Sequence, residues 1–186
     1  DSPQGTSKQA TIGSIGAVFA ANTTIVVNTK TDLPAPSAGV ITLVGNRNYI
    51  LGDDVSLGTD RLDASAGNIS WTSRNIAGPT LTYTGTGTLF TAVDAQFTIT
   101  KARLDVPNGK VFDLSDVASP GSSIIVMDQI QVDDCESFGD FEGVLSIVIS
   151  NSNALDCTQG LVLKGSSYFI HSFVKFAIGS TSASFV

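Results

Sequence analysis

The residues of this 186-residue chain best suited to chemistry are its carboxylates. There are seventeen Asp and Glu, but only two of them are Glu (Glu136 and Glu142). Around Glu136, one stretch carries the candidate set Asp133, Asp134, Asp140, Glu142 and Asp156. The dipeptide Asp134-Cys135 recurs as Asp156-Cys157. If that interval, about 22 residues, makes one turn of stacked strands, Asp134 and Asp156 come to about 4.8 Å, one strand spacing. That is close to the roughly 5–5.5 Å between the two carboxyl groups of a retaining glycosidase. A simpler role competes. An Asp ahead of a turn hydrogen-bonds its own backbone, which explains Asp63, Asp94, Asp105 and Asp116 equally well. The turn role is the expectation, with no catalytic residue and with Asp134 and Asp156 as the runner-up pair.

Other candidates are weaker. Trp71, with Tyr83 near it in sequence, has the ring chemistry of a sugar-stacking platform, but also that of an ordinary core. The one His, His171, falls in register with Met127 and Ile149 and is expected to face inward. Asp53, Asp54 and Asp60 hint at Ca²⁺ but lack the Asp-x-Asp-x-Asp-Gly spacing of a calcium loop. Gly85-Thr-Gly87 is followed by a strand pattern rather than a helix N-terminus, so no phosphate or dinucleotide loop is expected. No Gly-x-Ser-x-Gly elbow is present. No metal and no cofactor are expected.

The elements that would position these residues repeat. Gly87-Thr-Leu-Phe-Thr-Ala-Val-Asp94 aligns with Gly109-Lys-Val-Phe-Asp-Leu-Ser-Asp116 at the same interval as the two Asp-Cys pairs. Gly143 recurs as Gly165, and Ile125, Ile147 and Phe169 form a series with that spacing too. A unit of this length, rich in Val, Ile, Thr and Phe, is too short for two helices and suits one turn of a β-solenoid. The fold expected is all-β, a right-handed, single-stranded parallel β-helix of about 22 residues per turn. Alternating pairs such as Ile41/Leu43, Tyr49/Leu51, Ile69/Trp71 and Leu81/Tyr83 mark its strands. Ser119-Pro-Gly-Ser-Ser123 reads as a loop leaving the stack. The cysteines take equivalent places in consecutive turns. Parallel stacking holds Cβ atoms wider than the ideal for a disulfide, about 3.8 Å, so we expect reduced thiols in an interior column, with a disulfide as runner-up.

Residues 1–38 differ in kind and are expected to form an N-terminal arm, linker or cap. They include a polar start, the apolar Thr11–Ala21, the strand Thr23–Val27 and a Pro-containing linker. Residues 39–186 form the β-helix domain. It ends at Phe185-Val186 without a polar cap, so continuation or cover by another chain is expected. Apolar residues on both parities of Ile124-Ile-Val-Met127 and Tyr168-Phe-Ile170 point to a partner surface. The net charge of −7 with ten scattered Lys and Arg argues against nucleic acid. No apolar run reaches the length of a membrane-spanning helix, and none is expected to insert.

Leu33-Pro34, Gly39-Val-Ile-Thr-Leu43, Tyr49, Val55-Ser-Leu-Gly58, Arg61-Leu62 and Thr84-Gly-Thr-Gly87 together resemble a layout recurring in bacteriophage virion proteins. These are the parallel β-helix proteins of tail spikes, tail fibres and head fibres, and the likeness spans about residues 30–178. It implies a non-enzymatic fibre or spike domain for host attachment or virion assembly, located on the particle after assembly in the host cytoplasm. Its implied partners are two further copies of itself as a homotrimer, other virion proteins through the N-terminal region, and host surface polysaccharide. The first rival is a depolymerase tail spike, a glycoside hydrolase or lyase. Lyases of that group need a basic residue beside bound Ca²⁺, and no Arg or Lys lies within the acidic stretch. The second rival is a β-sandwich adhesin, which would need antiparallel hairpins; among Asn-Gly and Asp-Gly turns only Asn108-Gly109 qualifies.

Overall fold

The structure, a computed structural model, describes residues 23–74, 77–117, 122–165, 168–172 and 175–177. It is a parallel β-solenoid with three faces. One face is a seven-stranded sheet of β1 (Thr23–Val27), β3 (Arg47–Leu51), β6 (Ile69–Ser73), β9 (Gln96–Thr100), β11 (Ile124–Asp128), β13 (Ser146–Ser150) and β16 (Tyr168–Ser172). The second face stacks β2 (Val40–Thr42), β5 (Arg61–Asp63), β8 (Thr88–Val93), the later halves of β10 (Arg103–Ser115) and β12 (Gln131–Glu142), and β15 (Cys157–Lys164). The third stacks β4 (Val55–Ser56), β7 (Thr80–Thr82), the early halves of β10 and β12, β14 (Asn153–Leu155) and β17 (Lys175–Ala177). Each turn runs through the first, third and second faces in that order. Long strands β10 and β12 bend across two faces, and the ladder between them shifts register at the bend.

Strict alternation decides which side chains enter the bore, because successive Cβ atoms point to opposite sides of a strand. In β6 the pattern is buried at Ile69, Trp71 and Ser73 and half-buried between. Through the parallel ladders, Tyr49, Trp71, Ile99, Met127 and Ile149 form one inward column, and Ile69, Phe97, Ile125 and Ile147 another. Phe169 continues the second column and His171 the first in backbone register; their side chains lie outside the described residues. Rings run through the bore: Tyr49 stacks on Trp71 at 5.7 Å, and Phe90 meets Trp71 edge-on at 5.7 Å and stacks on Phe112 at 5.7 Å. Phe112 then meets Phe138 at 5.3 Å. Each such ring buries roughly 150–250 Å², so the aromatic column dominates the core.

The expected period holds at some steps and lengthens at others. Arg47 pairs with Ile69, Ile125 with Ile147 and Ile147 with Phe169, the same separation as that of the two cysteines, 22. Ile69 pairs with Phe97 and Phe97 with Ile125 at a longer separation, 28, which is also that of the bonded hydroxyls of Thr72 and Thr100. The second of these longer turns contains the expected Ser119–Ser123 loop, whose residues 118–121 lie outside the described ones.

One expectation changes. The two cysteines are bonded to each other, not reduced: Cys135 and Cys157 form a disulfide with Cα atoms 4.5 Å apart. Their register is the expected one. Asp156, just before Cys157, sits at φ 56°, and the Cα separation of the two cysteines lies within the range a disulfide tolerates, about 4.4–6.8 Å. Within residues 1–38, expected as an arm, linker or cap, Thr23–Val27 pairs along its full length with Arg47–Leu51 and adds a strand to the first face. The remainder of the expected arm, residues 1–22, and the terminus at Phe185-Val186 lie outside the described residues. Finally, every ladder between named strands is parallel, and the one antiparallel contact among the described residues is a single bridge, Ser37 to Val40. A hairpin-built sandwich is thereby excluded.

Candidate functional groove on the third face

The third face presents one inward column, Val55, Leu81, Leu104, Val132 and Ala154, all buried. The residues on either side of it therefore point outward. Each rung contributes a pair: Asp54 and Ser56, Thr80 and Thr82, Arg103 and Asp105, Gln131 and Asp133. Most of these wall a groove of about 530 Å³. Its polar groups are wired across rungs. The Thr80 N–H donates to Asp54 Oδ1 at 2.7 Å. Arg103 Nε donates to Asp133 Oδ2 at 2.6 Å, and Gln131 Nε2 donates to Asp133 Oδ1 at 2.6 Å. Asp105 makes no ion pair among the described residues. Burial raises its carboxyl above the ordinary Asp range, and the negative charges of Asp134 and Asp133 push the same way. A hydrogen bond from Thr82 and the charge of Arg103 oppose them without prevailing. The groove thus holds a carboxyl with heightened proton affinity beside two more carboxylates and one guanidinium.

The acids expected from sequence divide. Asp63 accepts from the backbone N–H of Ser65 at 3.0 Å, a local turn, whereas Asp116 accepts from the more distant backbone N–H of Ser123 at 2.9 Å. Asp94 instead caps the N–H of Val117 on the next rung at 2.8 Å. Asp105 is not a turn residue: it lies in the groove. Asp134 and Asp156 do fall on adjacent rungs, between the paired positions Val132/Ala154 and Cys135/Cys157. Both are exposed and outside the groove lining. Asp140 is drawn away by an ion pair with Lys110. No Arg or Lys lies within the acidic stretch of sequence, but Arg103 reaches Asp133 and Lys110 reaches Asp140 from one rung earlier.

Trp71 and Tyr83 form no sugar platform, because both rings are buried and a sugar cannot stack on a ring inside the bore. Tyr83 even fixes its glycines: a Cβ on Gly85 would run into the Tyr83 ring and hydroxyl, and one on Gly109 would run into the Gly87 carbonyl oxygen. Asp53, Asp54 and Asp60 do not converge either. Asp54 caps Thr80, and Asp60 pairs with Lys30 at 2.6 Å.

Sequence reasoning missed Arg103 and Asp105 because it followed the shorter of the two intervals. At the longer one the signal is plain: Arg103-Leu104-Asp105 aligns with Gln131-Val132-Asp133, an apolar residue between two polar ones with Asp last. The outward side of the first face shows a second contrast. Thr24, Asn48, Ser70 and Thr98 occupy one outward column in the early turns. Val126, Val148 and Ile170 continue it in the later turns. Beside Val126, Ile124 is 40% exposed, and Ile170 is 58% exposed. No helix among the described residues is long and apolar enough to cross a membrane. Compared with known proteins, the chain matches no family model, no curated protein and no solved structure.

Proposed function

We propose that this chain is a structural module of a bacteriophage virion, a fibre or spike segment that attaches the particle to a host surface and acts by binding rather than catalysis. The β-solenoid supplies the required rigidity, since each rung's backbone is paired above and below and the bore is filled. The resemblance in turn layout supports the virion setting. The observation that carries the reading is one outward column of the first face, polar at Thr24, Asn48, Ser70 and Thr98 and apolar at Val126, Val148 and Ile170, with the exposed Ile124 beside it. Contiguous exposed apolar surface on a soluble protein marks an interaction site, and two further copies of the chain are the occupants that a threefold fibre requires. Light scattering is expected to give three times the 19.3 kDa chain mass, with Ile124→Asp/Val126→Asp returning it to the monomer while strand content is kept. Retention on host cells is measured on the same preparation. A stable monomer, indifferent to that double change, refutes the self-association, and absence of retention on any host refutes attachment.

One observation favours a second reading, a polysaccharide depolymerase. Asp105 has the raised proton affinity of a general acid, and it sits in a groove with Asp133 beside it. Release of oligosaccharide from host polysaccharide, abolished by Asp105→Asn, would establish it. Asp134→Asn and Asp156→Asn are expected to leave attachment unchanged and to abolish no such release.

A further inference from the structure

The disulfide sits at an edge of the stack. Cys157 is the first residue of β15, and among the described residues β15 pairs with β12 alone. The paired positions run from Cys135/Cys157 to Glu142/Lys164. The bond therefore fastens the near end of an outermost strand to the rung beside it. Just before it, β14 is held to β12 at two positions, Gln131/Asn153 and Val132/Ala154. Both cysteines are buried, Cys135 at 2% and Cys157 at 1% exposure. Thiol–disulfide exchange needs a thiolate to reach one of the sulfurs, so access governs its rate. In the closed stack neither sulfur can be reached. Leu161, further along β15, is buried too and anchors that strand to the core.

We propose that the Cys135–Cys157 bond is a redox latch on the later turns, made and broken only when β15 lifts from β12. Oxidation then fixes β15 in place, and reduction leaves it held by backbone pairing and Leu161. Closing needs a small-molecule disulfide, such as oxidised glutathione, as the oxidant. One cysteine thiolate attacks a sulfur of that disulfide and expels one glutathione thiolate. The other cysteine thiolate attacks the protein sulfur of the mixed disulfide and expels the second. The two cysteine thiols give up two protons and two electrons, and two glutathione thiols receive them. Opening by a dithiol reverses these steps. A local lifting of one edge strand is the kind of sub-global opening by which folded proteins expose buried groups.

The test reduces the intact oxidised chain with dithiothreitol in native buffer, trapping freed thiols by alkylation and reading them by intact mass. Reduction is expected to be at least about a hundredfold slower than in denaturant. Leu161→Ala loosens β15 without touching either sulfur and is expected to speed reduction by at least about tenfold. Leu62→Ala makes the same truncation at a buried site in β5 of the early turns and is expected not to. Leu161→Val is the milder change if Leu161→Ala does not fold, with a smaller acceleration in the same direction. In the reduced protein, amide exchange is expected to quicken in β14 and β15 while β5 and β8 keep their protection. Native reduction as fast as in denaturant shows freely accessible sulfurs and overturns the latch. Equal acceleration by the Leu161 and Leu62 variants shows opening by global unfolding and overturns it too. So does acceleration by neither, unchanged exchange in β15 after reduction, or failure of oxidised glutathione to restore the bond in the folded chain.

Discussion

Arg103 and Asp133 lie on different turns of the chain, yet the guanidinium Nε donates to the carboxylate at 2.6 Å across adjacent rungs of the third face. Both side chains are partly exposed, so the pair adds little to stability, on the order of 0–1 kcal/mol. Its effect is on its neighbour, since Arg103 also draws down the proton affinity of Asp105. Arg103→Gln should therefore raise the Asp105 titration midpoint further. A carboxyl-detected NMR titration of both proteins checks this, and an unmoved midpoint would refute the electrostatic layout of the groove.

Two aspartates should give opposite pH dependence of stability. Asp128 accepts hydrogen bonds from Ser150 and Asn151, with a smaller contribution from Gln129, and these lower its carboxyl below the ordinary range against the opposing pull of burial. A depressed folded-state pKa contributes stability that is present above the unfolded value and is lost as pH falls through the folded one. Asp128→Asn should lower the denaturant midpoint at neutral pH, with the gap closing in acid. Asp105 is raised, so its ionisation costs stability in full above its folded pKa, and that cost fades as pH falls through the folded value to the unfolded one. Asp105→Asn should raise the neutral-pH midpoint, and this gap too should close in acid. Gaps of the same sign for both variants would contradict these assignments.

The Cys135–Cys157 bond links residues with a sequence separation of 22. Chain-entropy arithmetic for a loop of that size gives about 3 kcal/mol. Replacing both cysteines by Ala should lower stability by about that amount, with the loss concentrated in β12, β14 and β15. Hydrogen exchange resolves the location. Uniform loss along the stack would show that the later turns are not a separate weak point.

Phe112 touches Phe90, Phe138 and Phe141 and joins the early and late parts of the ring column. Phe112→Ala should cost about 3–5 kcal/mol, as buried aromatic truncations do. Gly109→Ala should also be costly, because the new methyl would meet backbone at Gly87, which cannot rotate away as a side chain would. Thermal melts of both variants serve as the measurement. A Gly109→Ala protein as stable as the parent would mean that the neighbouring rung shifts freely.

Local pattern alone carried the fold class, because alternation and short-range repetition are consequences of strand geometry. Tyr49/Leu51, Ile69/Trp71 and Leu81/Tyr83 announced their inward faces, and the repeat interval placed Cys135 over Cys157 and Ile125 over Ile147. Extra residues in a corner leave the strand pattern untouched, so the two longer turns show in the sequence only through the likeness of Arg103-Leu104-Asp105 to Gln131-Val132-Asp133 and the loop at Ser119–Ser123. Corners such as Lys101 and Gln129 adopt positive φ, 51° and 56°, without the Gly or Asn that usually signals it. Whether the cysteines bond depends on how their Cα–Cβ directions meet across adjacent rungs, with Cα atoms 4.5 Å apart, and sequence spacing does not set that direction. The groove belongs wholly to the tertiary structure. Arg103, Asp105 and Asp133 meet because stacking sets rungs one strand spacing apart, and their charges act on one another only once burial weakens the screening of water.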